Sequence, residues 1–110
     1  MIYFIGIGPG PVDLVTVKGK NVLGEADVII CSMPPVNKNV LVYAKGGCQI
    51  VNSFSMTIEQ IIIEMVATAQ QGKIVAQIVA GNASEFNEKN EQLALLRCYD
   101  LEYEVIPGVG

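Results

Sequence analysis

Residues 5–13 read IGIGPGPVD, with Gly6, Gly8 and Gly10 at alternate positions and Pro9 and Pro11 interleaved among them. A glycine-rich turn directly after an apolar strand usually binds phosphate, because the backbone N–H groups at a helix start point at the anion. Here that chemistry meets an obstacle. A G-x-G-x-x-G fingerprint begun at Gly6 and Gly8 needs glycine at position 11, where Pro11 stands. Pro9 and Pro11 also lack a backbone N–H, which removes two donors that a phosphate nest would use. What remains is a stiff turn whose glycines let the backbone bend sharply or approach a flat ligand closely. A tight strand-to-helix turn without a ligand is the competing structural reading.

Other site chemistries are narrowed by what the chain lacks. It has no histidine, so Ser-His-Asp and Cys-His nucleophilic arrangements are excluded, as are most transition-metal sites. Cys31, Cys48 and Cys98 are odd in number, far apart and set in apolar sequence, which suits small buried side chains rather than disulfides or metal ligands. No G-K-[ST] follows the glycines, so there is no Walker loop. A phosphoacceptor domain would need carboxylates at strand ends, whereas the first strand ends in glycines and the third in Asn52. No metal site and no catalytic side chain is assigned. Lys18 and Lys20, just beyond the loop, are the nearest cations for an anionic substituent and read equally as solvated helix lysines.

These residues need elements to position them. β-branched, apolar runs at 2–8, 26–32, 48–52, 73–80 and 101–107 predict five strands, and the segments 14–24, 37–45, 57–72 and 84–100 between them can be helical. Alternation of this kind predicts an α/β fold, a three-layer α/β/α sandwich around a five-stranded, mainly parallel sheet. The glycine loop then lies at the carboxyl end of a strand, where such folds bind ligands. Ser55 and Met56 sit at the same end, where the third strand leads into its helix. Thr57 and Gln60 can form a capping box, with Gly72 at that helix's C-terminus. Its isoleucines cover more than one narrow stripe, pointing either to deep burial or to a second surface such as a homodimer contact. The stretch 86–92 is almost wholly polar and is expected to be solvated.

The chain has 110 residues, 51% of them hydrophobic and 16% charged, which suits one globular domain. No run is long enough to span a bilayer and the start lacks a signal peptide's basic end, so a cytoplasmic location is expected. A net charge of −4 leaves no basic face for nucleic acid.

Taken together, YFIGIGPGPVDLVTVKG (3–19), EADVIICS (25–32), SMTIEQII (55–62) and EYEVIPGV (102–109) resemble the tetrapyrrole (precorrin and uroporphyrinogen) methylases, in that family's order and spacing. The resemblance implies that residues 1–110 correspond to the first of two domains. In the family the second domain follows the IPGV segment, S-adenosylmethionine lies in the cleft between the two, and the tetrapyrrole occupies a trough bordered by the glycine loop. Carried over by position, the cofactor contacts are Pro9, Ala80, Gly81, Asn82 and Glu85, and the substrate contacts are Gly8, Gly10 and Met56.

Two departures qualify the match. The family's loop continues G-P-G-D-P, whereas Gly10 is followed here by Pro11 and Val12. After the fourth strand the family has G-D-P-[SA]-x-[YF]-G, and this chain has Gly81-Asn82-Ala83-Ser84-Glu85-Phe86-Asn87. Asn82 keeps the shape of aspartate without its charge, removing attraction for a cationic methionine portion. The polar run Asn87, Glu88, Lys89, Asn90 replaces small or apolar residues. The expectation is a separated and re-engineered first domain that binds no S-adenosylmethionine alone and needs the missing C-terminal domain for methyl transfer. The alternative is a folded scaffold or interaction module without catalysis.

Overall fold

A computed structural model describes residues 1–7, 15–33, 38–80 and 90–108. In chain order the elements are β1 (Ile2–Ile7), α1 (Val17–Glu25), β2 (Val28–Cys31), a 3₁₀ segment (Lys38–Tyr43), β3 (Gln49–Asn52), α2 (Ile58–Gln70), β4 (Val75–Ala80), α3 (Glu91–Arg97) and β5 (Tyr103–Ile106). The strands form one sheet in the order β3-β2-β4-β1-β5. Every pairing in it is parallel.

The side chains of β1 alternate between two cores, as the pleat requires. Ile5 and Ile7 join Val22 and Leu23 of α1, Val40 of the 3₁₀ segment, Ile29 and Ile78 on one face. Ile2 and Phe4 join Ile61, Ile62 and Met65 of α2 and Leu93 and Leu96 of α3 on the other. The sheet is therefore covered on both sides, which is why its strands read as continuous apolar runs. The phenyl ring of Phe4 also meets Tyr103 edge-on, with centroids 6.0 Å apart.

Local chemistry sets the helix ends. Thr16 caps α1 by accepting the Gly19 N–H at 3.0 Å. Thr57 accepts the Gln60 N–H at 3.2 Å while Gln60 Oε1 accepts the Thr57 N–H at 2.9 Å, completing the expected capping box. Gly72 follows α2 with φ +76°, the left-handed step for which glycine is suited. Ile61, Ile62, Met65 and Val66 face the core, while Ile63 is left 62% exposed.

Four expectations change. Within the expected helix at 37–45, Lys38–Tyr43 form a 3₁₀ segment rather than an α-helix. The last helix spans only Glu91–Arg97, capped by Asn90 Oδ1, which accepts the Leu93 N–H at 3.1 Å; residues 81–89 of the expected helix lie outside the described residues. Gln92, expected in a solvated stretch, is 8% exposed. Its amide is turned inward because Gln77 of β4 offers a complementary amide: Gln92 Nε2 donates to Gln77 Oε1, and Gln77 Nε2 returns a bond to Gln92 Oε1. The thiols are free, but only Cys31 is a core residue, Cys98 being exposed beyond α3.

At the amino ends of the strands, Asp27 accepts from Lys45 Nζ at 2.9 Å and from the Ile74 N–H at 2.8 Å. The Lys45 bond, then the Ile74 bond, hold its carboxyl below the usual carboxylate range. Its contribution to stability is present above that range and is lost as pH falls through the lowered pKa.

Candidate functional site

The carboxyl ends of the strands build the site. β1 and β4 are neighbours, and their pairing runs from Ile2 opposite Val75 to Ile7 opposite Ala80. Both strands therefore end level, Ile7 opposite Ala80 on the same rim. The following helices diverge: α1 packs its Val22 and Leu23 on one face, and α3 packs its Leu93 and Leu96 on the other. Adjacent parallel strands whose connections leave toward opposite faces open a crevice between them, the topological switch point at which ligands bind in α/β sheets.

The end of β5 buttresses this crevice. Ile5 is opposite Ile106, and the chain continues to Gly108, packed directly on the β1 backbone. A Cβ at Gly108 would stand 2.9 Å from the carbonyl carbons of Gly6 and Ile7 and 3.0 Å from Gly6 O, so only glycine fits at the base of the first loop. The sequence marks Gly108 only as part of a matching segment; its close approach to β1 is a long-range fact.

A second part of the rim lies over β2 and β3. Asn52, the last residue of β3, accepts the Met33 N–H at 3.1 Å and the Phe54 N–H at 3.0 Å through Oδ1, and donates through Nδ2 to Met33 O at 3.3 Å. Ser53 N–H donates to Cys31 O at 2.9 Å and Met56 N–H to Ser53 O at 3.0 Å. The segments leaving β2 and β3 are thus tied together, and Phe54 projects from them 62% exposed. Cys31, at the β2 end, is a buried thiol whose pKa is raised by desolvation, which keeps it neutral.

Of the expected site residues, Ala80 stands at the crevice, opposite Ile7. Met56 stands at the same end of the sheet but over β3, half-buried against the α2-side core. Gly8, Pro9, Gly10, Gly81, Asn82 and Glu85 lie outside the described residues. Lys18 pairs with Glu104 at 2.6 Å, and Lys20 Nζ lies 5.3 Å from the centroid of the Tyr43 ring, so both lysines have partners within the chain. Asn52 and Phe54 were not singled out as site residues, because nothing local distinguishes such a pair from an ordinary turn.

Comparison with known proteins agrees with this geometry. The sequence profile of the tetrapyrrole (corrin/porphyrin) methylases matches residues 1–110. The cobalt-precorrin-4 C(11)-methyltransferase of Methanocaldococcus jannaschii is 41% identical over 109 residues, 99% of this chain and 42% of that protein. The precorrin-4 C(11)-methyltransferase of Pseudomonas aeruginosa is 35% identical over 108 residues, 98% of this chain and 43% of that protein. Among solved structures, a cobalt precorrin-4 methyltransferase superposes with a TM-score of 0.88 at 31% identity, covering 98% of this chain and 45% of the other. Uroporphyrin-III C-methyltransferase from Thermus thermophilus, solved with S-adenosylhomocysteine, gives 0.75 at 27% identity, covering 98% and 44%. The chain thus spans less than half the length of the relatives it matches. By its sequence over residues 1–110 and by its parallel sheet, the chain belongs to the tetrapyrrole (corrin/porphyrin) methylases.

Proposed function

We propose that residues 1–110 are the first domain of an S-adenosylmethionine-dependent tetrapyrrole methyltransferase of the cobalt-precorrin-4 type, in corrin biosynthesis, and that methyl transfer requires a second domain facing the carboxyl rim. The observation that carries this reading is the register of Ile7 against Ala80. It brings the last residues of β1 and β4, which precede the glycine loop and the Gly81 segment in sequence, level with each other at one crevice.

The cofactor would be held by Pro9, Ala80, Gly81, Asn82 and Glu85, and the substrate by Gly8, Gly10 and Met56. The described part of the site fits such a ligand: Gly108 keeps the base of the first loop free of side chains, and the two strand ends are level. S-adenosylmethionine supplies a methyl group on a sulfonium, ready for displacement by a nucleophilic ring carbon. The chain's task is to align the two partners and exclude water, which needs no histidine base. Asn82 would give the sulfonium side a neutral amide in place of a carboxylate, weakening the hold on a cation. The isolated chain is therefore read as inactive.

Calorimetry with S-adenosylhomocysteine tests the reading. The chain alone should show no binding tighter than about 1 mM, equivalent to roughly −4 kcal/mol. Added together with the second half of the Methanocaldococcus jannaschii relative, it should show saturable binding. No heat from the mixture under conditions where the intact relative binds would contradict the proposal. The exposed side chains of Val42 and Ile63, at 74% and 62%, favour the second reading, a self-associating or partner-binding module without catalysis; in that case the mixture stays silent and the chain elutes as an oligomer.

A further inference from the structure

The rim over β2 and β3 carries an exposed aromatic on a fixed backbone. Phe54 is 62% exposed, although its main chain is not a loose turn. Its N–H is held by Asn52, whose amide also holds both backbone polar groups of Met33. An aromatic ring displayed on an ordered backbone is preorganised for contact, because little further order is needed when it is covered. Among the described residues, the other large exposed apolar side chains are Val17, Val42 and Ile63 on helical segments, Tyr99 in the turn after α3 and Ile50 within β3. Phe54 leaves the carboxyl end of a strand. In the sheet order β3-β2-β4-β1, two strand spacings separate it from the Ala80 strand and three from the Ile7 strand, about 10 and 14 Å. A large planar ligand seated on Phe54 would reach the crevice between β1 and β4.

We infer that Phe54 is a substrate-contact residue on which one face of the tetrapyrrole ring rests, and that Asn52 is the positioning residue that presents it. The inference rests on the methylase reading above and adds to it the side of the rim on which the ring lies. Met56, two residues on from Phe54, is half-buried against the α2-side core and its N–H donates to Ser53 O at 3.0 Å, so the turn that carries the ring is anchored on this side as well. The chain's net charge of −4 opposes a polycarboxylate ring at long range. Any uptake of such a ring therefore reports local contact rather than general charge attraction.

The test uses the 110-residue chain and uroporphyrin III, followed by the shift of its Soret band. The wild-type chain is expected to bind, Phe54→Ala to bind at least tenfold more weakly with an unchanged melting temperature, and Phe54→Trp to stay within about threefold of wild type. Asn52→Ala should weaken binding while Phe54 remains in the sequence, and should speed amide exchange at Met33 and Phe54. Equal binding by wild type and Phe54→Ala overturns the inference, as does a wild-type chain that leaves the Soret band unmoved. The methylase reading falls only on the calorimetry with the second half, so the two failures are distinguishable.

Discussion

Gly108 shows how one residue without a side chain determines whether a site can exist. Methyl-sized bulk there would press on the carbonyl carbons of Gly6 and Ile7 at 2.9 Å, and these belong to a central strand that cannot move aside. Gly108→Ala is expected to cost about 1–3 kcal/mol, the range for overpacking a fitted contact, and to lower the thermal melting temperature by several degrees. A variant melting with the wild type would show that the contact is not maintained in solution. Gly19 is a milder case: its added Cβ would meet the terminal Cγ2 of Ile5 at 3.0 Å, a contact with a side chain rather than with backbone.

Among the elements, α3 carries a polar contact inside an otherwise apolar face. Gln92 and Gln77 satisfy each other between helix and strand, with Met65 Sδ 3.8 Å from the Gln92 amide. Removing one partner orphans the other, whereas replacing both with apolar groups removes the need for either bond. Gln92→Leu should therefore lower stability by about 1–3 kcal/mol, and Gln77→Leu/Gln92→Leu should recover most of that loss. Denaturant melts of the single and double variants decide it, and equal losses in both would contradict the pairing. The ends of α2 were legible from Thr57, Gln60 and Gly72 because a capping box and a left-handed glycine act within a few residues. The inward turn of Gln92 was not legible, since its partner lies on a different strand and a polar run otherwise signals solvent.

Across the whole molecule, the five strands, their parallel arrangement and the two covering layers followed from β-branched runs alternating with helical segments. The strand order did not, because hydrophobic pattern marks which residues are buried and leaves the neighbours of each strand open. That order creates the crevice at Ile7 and Ala80 and places Met56 and Phe54 over β3 at the other side of the rim. Ala80 and Met56 are proposed as contacts from the resemblance and from their place at strand ends. Asn52 and Phe54 needed coordinates, because Asn52 ties the Phe54 N–H to the backbone of Met33, which is distant in sequence. Two-domain organisation remains the proposal on which the function depends, and the chain's coverage of 42% of its Methanocaldococcus jannaschii relative accords with it.

The most direct measurement is an amide chemical-shift titration of the isotopically labelled chain, assembled with the relative's second half, against S-adenosylhomocysteine. The largest changes are expected at Ile7, Ala80 and Gly108, around the β1 and β4 ends. Changes concentrated instead at Asp27, Gln49 and Ile74, on the opposite rim of the sheet, would contradict the assignment of the cofactor crevice.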